Sequence, residues 1–232
     1  MEEFSEKYPA AYKLTTLMIE AVKEKMENNH GRFHLAISGG NSPLVLFRLW
    51  REMIPGTIFW DRIELYWVDE RCVPPLDKAS NYGDAKRHLL DFISLKNTSV
   101  HRIIGEADPA AEAERYSALV RDKIPVVNGF PEFDLIIAGI GSDGHTSSVF
   151  PGQDHLLSHP SPYSESQNPY DKSMRVAMTG RTMINAQRLF FYVYGEEKRE
   201  ILNKITQPNL RDNFPAGYVI RHTNRSNIFW DR

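Results

Sequence analysis

GIGSDGH, residues 139–145, sets Asp143 and His145 two positions apart among glycines. A histidine whose ring is steered by a nearby carboxylate serves as a general base toward water at neutral pH. Asp143 then orients either that ring or the substrate, and the glycines let backbone come close to the reacting group. The same stretch is a literal G-x-G-x-x-G through Gly139, Gly141 and Gly144, which raises dinucleotide binding. Such a loop should open a helix and be followed, about 20 residues on, by an acidic residue ending a second strand. Here Pro151 interrupts any helix within two turns, and Asp154 and Glu165 fall in a polar, proline-broken segment. The dinucleotide reading fails on context, while a histidine that merely caps a turn stays open.

Two further segments carry groups suited to anions. In SGGNSP (38–43), Gly39 and Gly40 permit a tight turn, and the N–H groups of Gly40, Asn41 and Ser42 are placed to converge with a helix dipole on a phosphate. On this segment alone, an anion cradle and a bare strand-to-helix turn read equally well. In WVDERCVPP (67–75), Arg71 offers a bidentate grip on phosphate or carboxylate; taken singly, a charged edge in which Asp69, Glu70 and Arg71 pair with one another reads better. Arg175 opens RVAMT and Lys198 lies in GEEKREIL at a helix start, where a cation suits a bound anion and is otherwise mildly unfavourable. Surface charge is the plainer reading of each alone.

Other chemistries fit less well. No G-x-S-x-G elbow occurs, and capping the following turn is the commoner role for Ser147 and Ser148. His155 and His159 in HLLSH have i, i+4 spacing, but flanking Pro151 and Pro160 and the lack of a third ligand at recognisable spacing favour loop histidines over zinc. Cys72 reads as a passive small residue in spite of its arginine neighbour.

These groups need elements to hold them. Leu14, Leu17, Met18, Ala21, Val22 and Met26 recur at helical spacing, which predicts a helix over 9–29 stopped by His30-Gly31. FHLAIS reads as a buried strand, followed by a helix with Ser42 as cap and Pro43 as first residue, running to about Met53. RIELYWVD is the next strand. Ser80 caps a helix to about Phe92, and Asp108-Pro109 opens another before the strand FDLIIAGI. The polar stretch 151–173 reads as an active-site loop or lid. RVAMT and RLFFYVYG are strands, EEKREILNKI a short helix and AGYVIR a last strand. IFWDR occurs at both 58–62 and 228–232, too short a match for a repeat architecture. The alternation predicts a single domain over 1–232 of three-layer α/β/α class, with a largely parallel, Rossmann-like sheet whose ligands gather at the carboxyl ends of its strands.

Composition narrows the partners. With 28 basic against 30 acidic residues and a formal charge of −2, the chain has no bias toward nucleic acid or a membrane surface. Cys72 is its only cysteine, so no disulfide forms within it and a reducing compartment is expected. No run approaches the roughly 18 apolar residues that span a bilayer, and the polar start MEEFSEKYPAAYKL is unlike a secretory signal. A cytoplasmic protein, monomeric or weakly homo-oligomeric, is the expectation.

Taken together and in order, SGGNSP, WVDERCVPP with SNYG (80–83), GIGSDGHTSSVFPG, and GEEKREIL with PAGYV (215–219) resemble the 6-phosphogluconolactonase family. Its relatives, the glucosamine-6-phosphate deaminases, share a D-G-H loop but carry D-E-Y where this chain has Asp69-Glu70-Arg71. The resemblance implies hydrolysis of 6-phospho-D-glucono-1,5-lactone in the oxidative pentose phosphate pathway, without metal or organic cofactor. It makes His145 the base that activates water and Asp143 its neighbour. Gly39, Gly40, Asn41 and Ser42 become the loop that contacts substrate, and Arg71, Arg175 and Lys198 the cations for phosphate or oxyanion. A deaminase-like enzyme and a non-catalytic sugar-phosphate binder are the alternatives. The chain departs from the family at Ala177, where a threonine is common, near Asn41, where Ser or Thr is common, and at Trp230-Asp231, which replaces a Trp-x-x-Asp pattern.

Overall fold

Short apolar runs, each too brief for a stable helix, build the centre of the molecule. Residues 2–28, 31–54 and 56–232 are described by a computed structural model. Its first half contains α1 (Glu2–Lys7), α2 (Pro9–Glu27), β1 (Phe33–Ile37), α3 (Asn41–Met53), α4 (Thr57–Trp60), β2 (Ile63–Trp67), β3 (Asp69–Arg71), α5 (Asn81–His88), β4 (Val100–His101) and α6 (Pro109–Lys123). Then follow β5 (Val126–Val127), β6 (Phe130–Pro131), β7 (Leu135–Ala138), β8 (Tyr163–Gln167), β9 (Met174–Met178), α7 (Gly180–Asn185), β10 (Leu189–Tyr194), α8 (Arg199–Thr206), α9 (Pro215–His222) and β11 (Ser226–Asp231).

Among the described residues, six strands pair in parallel in the order β11-β10-β7-β1-β2-β4. Leu35 lies beside Leu65 on one flank and Leu135 on the other, and Leu189 beside Ile136. Every residue of β1 and of β7 is buried, as expected for strands covered on both faces. Helices supply that cover on both sides; α2 and α3, for example, pack on each other and on β10. The expected three-layer α/β class is the observed one. The chain runs outward from β1 through β2 to β4, then returns to the other flank of β1 with β7. The order therefore reverses between β1 and β7, the place where open α/β sheets bind ligands.

The caps agree with the sequence at two helices. Ser80 Oγ accepts from Gly83 N at 2.9 Å at the start of α5, and Asp108 Oδ1 accepts from Ala111 N at 3.0 Å at the start of α6. The first of these helices ends at His88, and a separate 3₁₀ turn covers Leu90–Phe92. Helix α2 closes at Glu27, and His30, half of the expected stop, lies outside the described residues.

Other expectations are corrected. Helix α3 starts two residues early, at Asn41 with Gly40 as N-cap, and the Ser42 hydroxyl is used elsewhere: it accepts from Tyr194 N at 3.2 Å. The predicted strand RIELYWVD divides, and its charged end leaves the parallel sheet to form a second, antiparallel sheet of order β3-β9-β8. Segment 151–173 contains strand β8 of this second sheet, and beyond it Asn168 and Tyr170 reach a cavity at the parallel sheet's carboxyl end. AGYVIR is helix α9, not a strand. Pro215 pre-sets the first helical turn, and Ala216 and Val219 recur three apart on the buried side. The last strand is β11, so IFWDR contributes to helix α4 at one copy and to a strand at the other.

Candidate active site

The loops that leave β1, β2, β7 and β10 converge over the carboxyl ends of the parallel sheet. Between them lies a cavity of about 440 Å³, lined by Gly39, Gly40, Asn41, Ser42, Arg71, Asp143, His145, Arg175 and Lys198. All nine residues singled out from the sequence thus meet in one place, although they span 160 positions from Gly39 to Lys198.

Asp143 and His145 form a close pair. Oδ1 of Asp143 lies 2.6 Å from the His145 ring Nδ1 and also accepts the His145 backbone N–H at 3.1 Å. Burial opposes ionisation of Asp143, but these contacts from His145 and a hydroxyl from Tyr170 more than offset it, holding the carboxyl well below the ordinary carboxylate range. An ionised acceptor at Nδ1 keeps the proton on that nitrogen, so Nε2 carries the lone pair. The Phe150 ring packs 4.6 Å from the imidazole and limits its rotation. The turn beneath is tight enough to need glycine: a Cβ on Gly141 would lie 2.1 Å from His145 Nδ1. No helix follows Gly144, which is why the G-x-G-x-x-G is no dinucleotide site.

Across the cavity, the chain enters α3 through Gly40 at φ +88°, a backbone conformation suited to glycine. No side chain caps this helix, so its first N–H groups and the positive end of its dipole face the cavity. The antiparallel sheet adds Arg71 and Arg175, which stand opposite each other in register. Burial, then the adjacent charge of Arg71, makes the Arg175 cation less favourable than usual, a cost that a bound anion relieves. The Arg71 guanidinium donates to the Ala79 carbonyl at 2.6 Å, and Lys198 Nζ donates to Ser142 Oγ at 3.0 Å. Both cations are thus braced by neutral oxygens. The charged-edge reading of Asp69-Glu70-Arg71 is not what the fold does: Glu70 turns inward, accepting the backbone N–H groups of Arg71, Asn81 and Tyr82 at 2.7–2.8 Å.

The match to known proteins is extensive. Residues 6–230 fit the family model described as glucosamine-6-phosphate isomerases/6-phosphogluconolactonase. The chain belongs to this family. It is 35% identical to the 6-phosphogluconolactonase of Treponema pallidum over 171 residues, 74% of this chain and 71% of that one. Against the 6-phosphogluconolactonase of Haemophilus influenzae it is 36% identical over 188 residues, 80% and 79% of the two chains. The crystal structure of a protein called devB superposes with a TM-score of 0.86 at 33% identity, covering 96% of this chain and 91% of that one.

Within this member of the isomerase/lactonase family, sequence reasoning missed several residues of the cavity wall. Asp69 is buried beside the two arginines, where Ser148 Oγ donates to its Oδ2 and Asn81 Nδ2 lies 3.3 Å from its Oδ1. Asn81 had a signal, since it belongs to SNYG; Tyr170 had none beyond its place in 151–173. Ser147 and Ser148 do not cap a turn. Both adopt positive φ, and Ser147 Oγ donates to the carbonyls of Val68 and Met178 at 3.0 and 2.8 Å, tying the loop that bears His145 to the end of β2 and to β9. Cys72 is half-buried, and burial pushes its thiol up to about 11, in keeping with a passive role. His159 Nδ1 accepts from Ser161 N at 3.2 Å. Among the described residues no helix is long and apolar enough to cross a membrane.

Proposed function

We propose that this chain hydrolyses 6-phospho-D-glucono-1,5-lactone to 6-phosphogluconate, the second step of the oxidative pentose phosphate pathway, with His145 as general base. The observation that carries the reading is the Asp143–His145 pair at 2.6 Å in a cavity that also holds three cations and an uncapped helix N-terminus. In this reading Nε2 of His145 takes a proton from water as its oxygen attacks the lactone carbonyl carbon. The imidazolium that forms is stabilised by the Asp143 carboxylate. The tetrahedral oxyanion draws on the cations and backbone N–H groups of the cavity. Collapse then breaks the bond to the ring oxygen, which recovers the proton from Nε2. Arg71, Arg175, Lys198 and the Gly39–Ser42 turn share the phosphate and the oxyanion. A lactone is already an activated ester, so one positioned base is sufficient for the chemistry.

The test is the disappearance of freshly generated lactone at neutral pH, corrected for spontaneous hydrolysis. Wild type should accelerate it, and His145→Ala should lower turnover by about 100-fold or more. Near-normal turnover in that variant would sink the base assignment. A deaminase-type isomerisation needs a carboxylate free to shuttle a proton. Asp69 lines the cavity, but Ser148 and Asn81 occupy its oxygens. Incubation with glucosamine 6-phosphate should therefore release no ammonia.

A further inference from the structure

The dyad is held from a second side. The hydroxyl of Tyr170 donates to Oδ2 of Asp143 at 2.8 Å, the oxygen that His145 does not use. A carboxylate gripped at one oxygen can still turn about its Cβ–Cγ bond, whereas one gripped at both is fixed. Tyr170 is 71% exposed, so burial does not explain its position over the cavity. Its ring meets the edge of Phe150 at 6.4 Å, and Phe150 lies against the His145 imidazole.

The segment that presents Tyr170 is ordered by its own backbone. It is the connection between β8 and β9, where Asn168 N donates to Ser173 O and Lys172 N to Asn168 O at 2.9 and 3.0 Å. Asn168 Oδ1 accepts from Tyr170 N at 2.9 Å, and Lys172 takes up the left-handed φ of 62° that closes the turn. The same hairpin carries Arg175, whose guanidinium lies 4.0 Å from Asp171, the residue after Tyr170. One rigid piece therefore presents a cation to the cavity and grips the carboxylate that orients the base.

We infer that Tyr170 is a positioning residue. It fixes Asp143, and through it the His145 ring, and it ties the dyad to the hairpin that bears Arg175. The inference rests on the reading of His145 as base. Tyr170→Phe keeps the ring and removes the donor. Turnover of the phosphorylated lactone should fall about tenfold with KM within about twofold, since the cations are untouched, and the thermal midpoint should not move. The acid limb of the kcat/KM profile should shift to higher pH, because the released carboxylate presents more charge to the imidazole. A role through Asp143 also requires that Tyr170→Phe add little to the loss already caused by Asp143→Ala. Turnover within twofold of wild type, a KM rise at constant kcat, or losses that multiply in the double variant would each overturn the inference. His145→Ala is assayed alongside. If it is inactive while Tyr170→Phe is normal, the positioning role falls and the base stands; if it is active, both fall.

Discussion

At the residue scale, the cavity is organised around one imidazole whose two nitrogens have different duties. Asp143 fixes the proton on Nδ1, and its own ionisation is secured by His145 and Tyr170 against the cost of burial. A carboxyl depressed in the folded state lends stability in full above its ordinary value near 3.8, and that contribution is lost only as pH falls further. Asp143 is accordingly ionised throughout the neutral range. Asp143→Ala should lower kcat by about tenfold or more, with the fold intact by circular dichroism. Gly141→Ala probes the same geometry from the backbone. Its methyl would overlap the imidazole, so turnover should fall without loss of phosphate affinity, read as an unchanged Kd for 6-phosphogluconate. Arg71→Ala and Lys198→Ala should do the reverse, weakening 6-phosphogluconate far more than unphosphorylated gluconate; equal losses for the two ligands would refute phosphate contact.

At the element scale, what the sequence conceals is long-range pairing. Helix α2 has no side-chain cap from its own N-cap residue, Tyr8. Its first N–H groups, on Ala10 and Ala11, instead donate to Oδ1 and Oδ2 of Asp231 at 2.8 and 2.9 Å, and the Tyr192 hydroxyl joins them at 3.0 Å. A cap 220 positions away leaves no local trace, and Trp230-Asp231 reads from sequence as only a departure from a family pattern. Asp231→Ala should cost about 1–2 kcal/mol, a fall of several degrees in Tm, with kcat unchanged. The same blindness explains the misread elements. FDLIIAGI and RLFFYVYG are legible because strands buried on both faces are continuously apolar. AGYVIR has similar composition, and it is Pro215 ahead of it and the burial of Ala216 and Val219 on one side that make it a helix. The Gly39–Ser42 turn, Asp143 and His145 were legible because they follow the ends of apolar strands. Tyr170 and Asp69 owe their places to the antiparallel sheet, whose pairing no short window reveals.

At the scale of the whole molecule, the sheet that gathers the site carries buried titratable groups on its strands away from the cavity. His34, on β1, is 8% exposed; its Nδ1 lies 3.2 Å from the Tyr66 hydroxyl, and burial is the chief reason its pKa is lowered to about 4. Burial likewise lowers His101, which stacks on the Tyr66 ring at 4.7 Å, though Glu64 partly opposes it. Both rings are neutral in the fold at neutral pH. For a histidine of depressed folded pKa, stability is complete above the unfolded value near 6.5. It declines as pH falls, because the unfolded chain takes up the proton first, and the decline ends near the folded value of about 4. Spread over that window, His34 accounts for a loss of about 3 kcal/mol at most. His34→Gln removes the titration while keeping a polar partner for Tyr66. Denaturant unfolding of both proteins at pH 7 and 4.5 should show wild type losing about 2 kcal/mol more than the variant between the two conditions, every other titration being common to both. An equal loss in both proteins would mean that His34 takes up its proton as readily in the fold as in the unfolded chain. Because β1 also leads into the Gly39–Ser42 turn, acid unfolding of this centre should remove phosphate binding and turnover in a single transition.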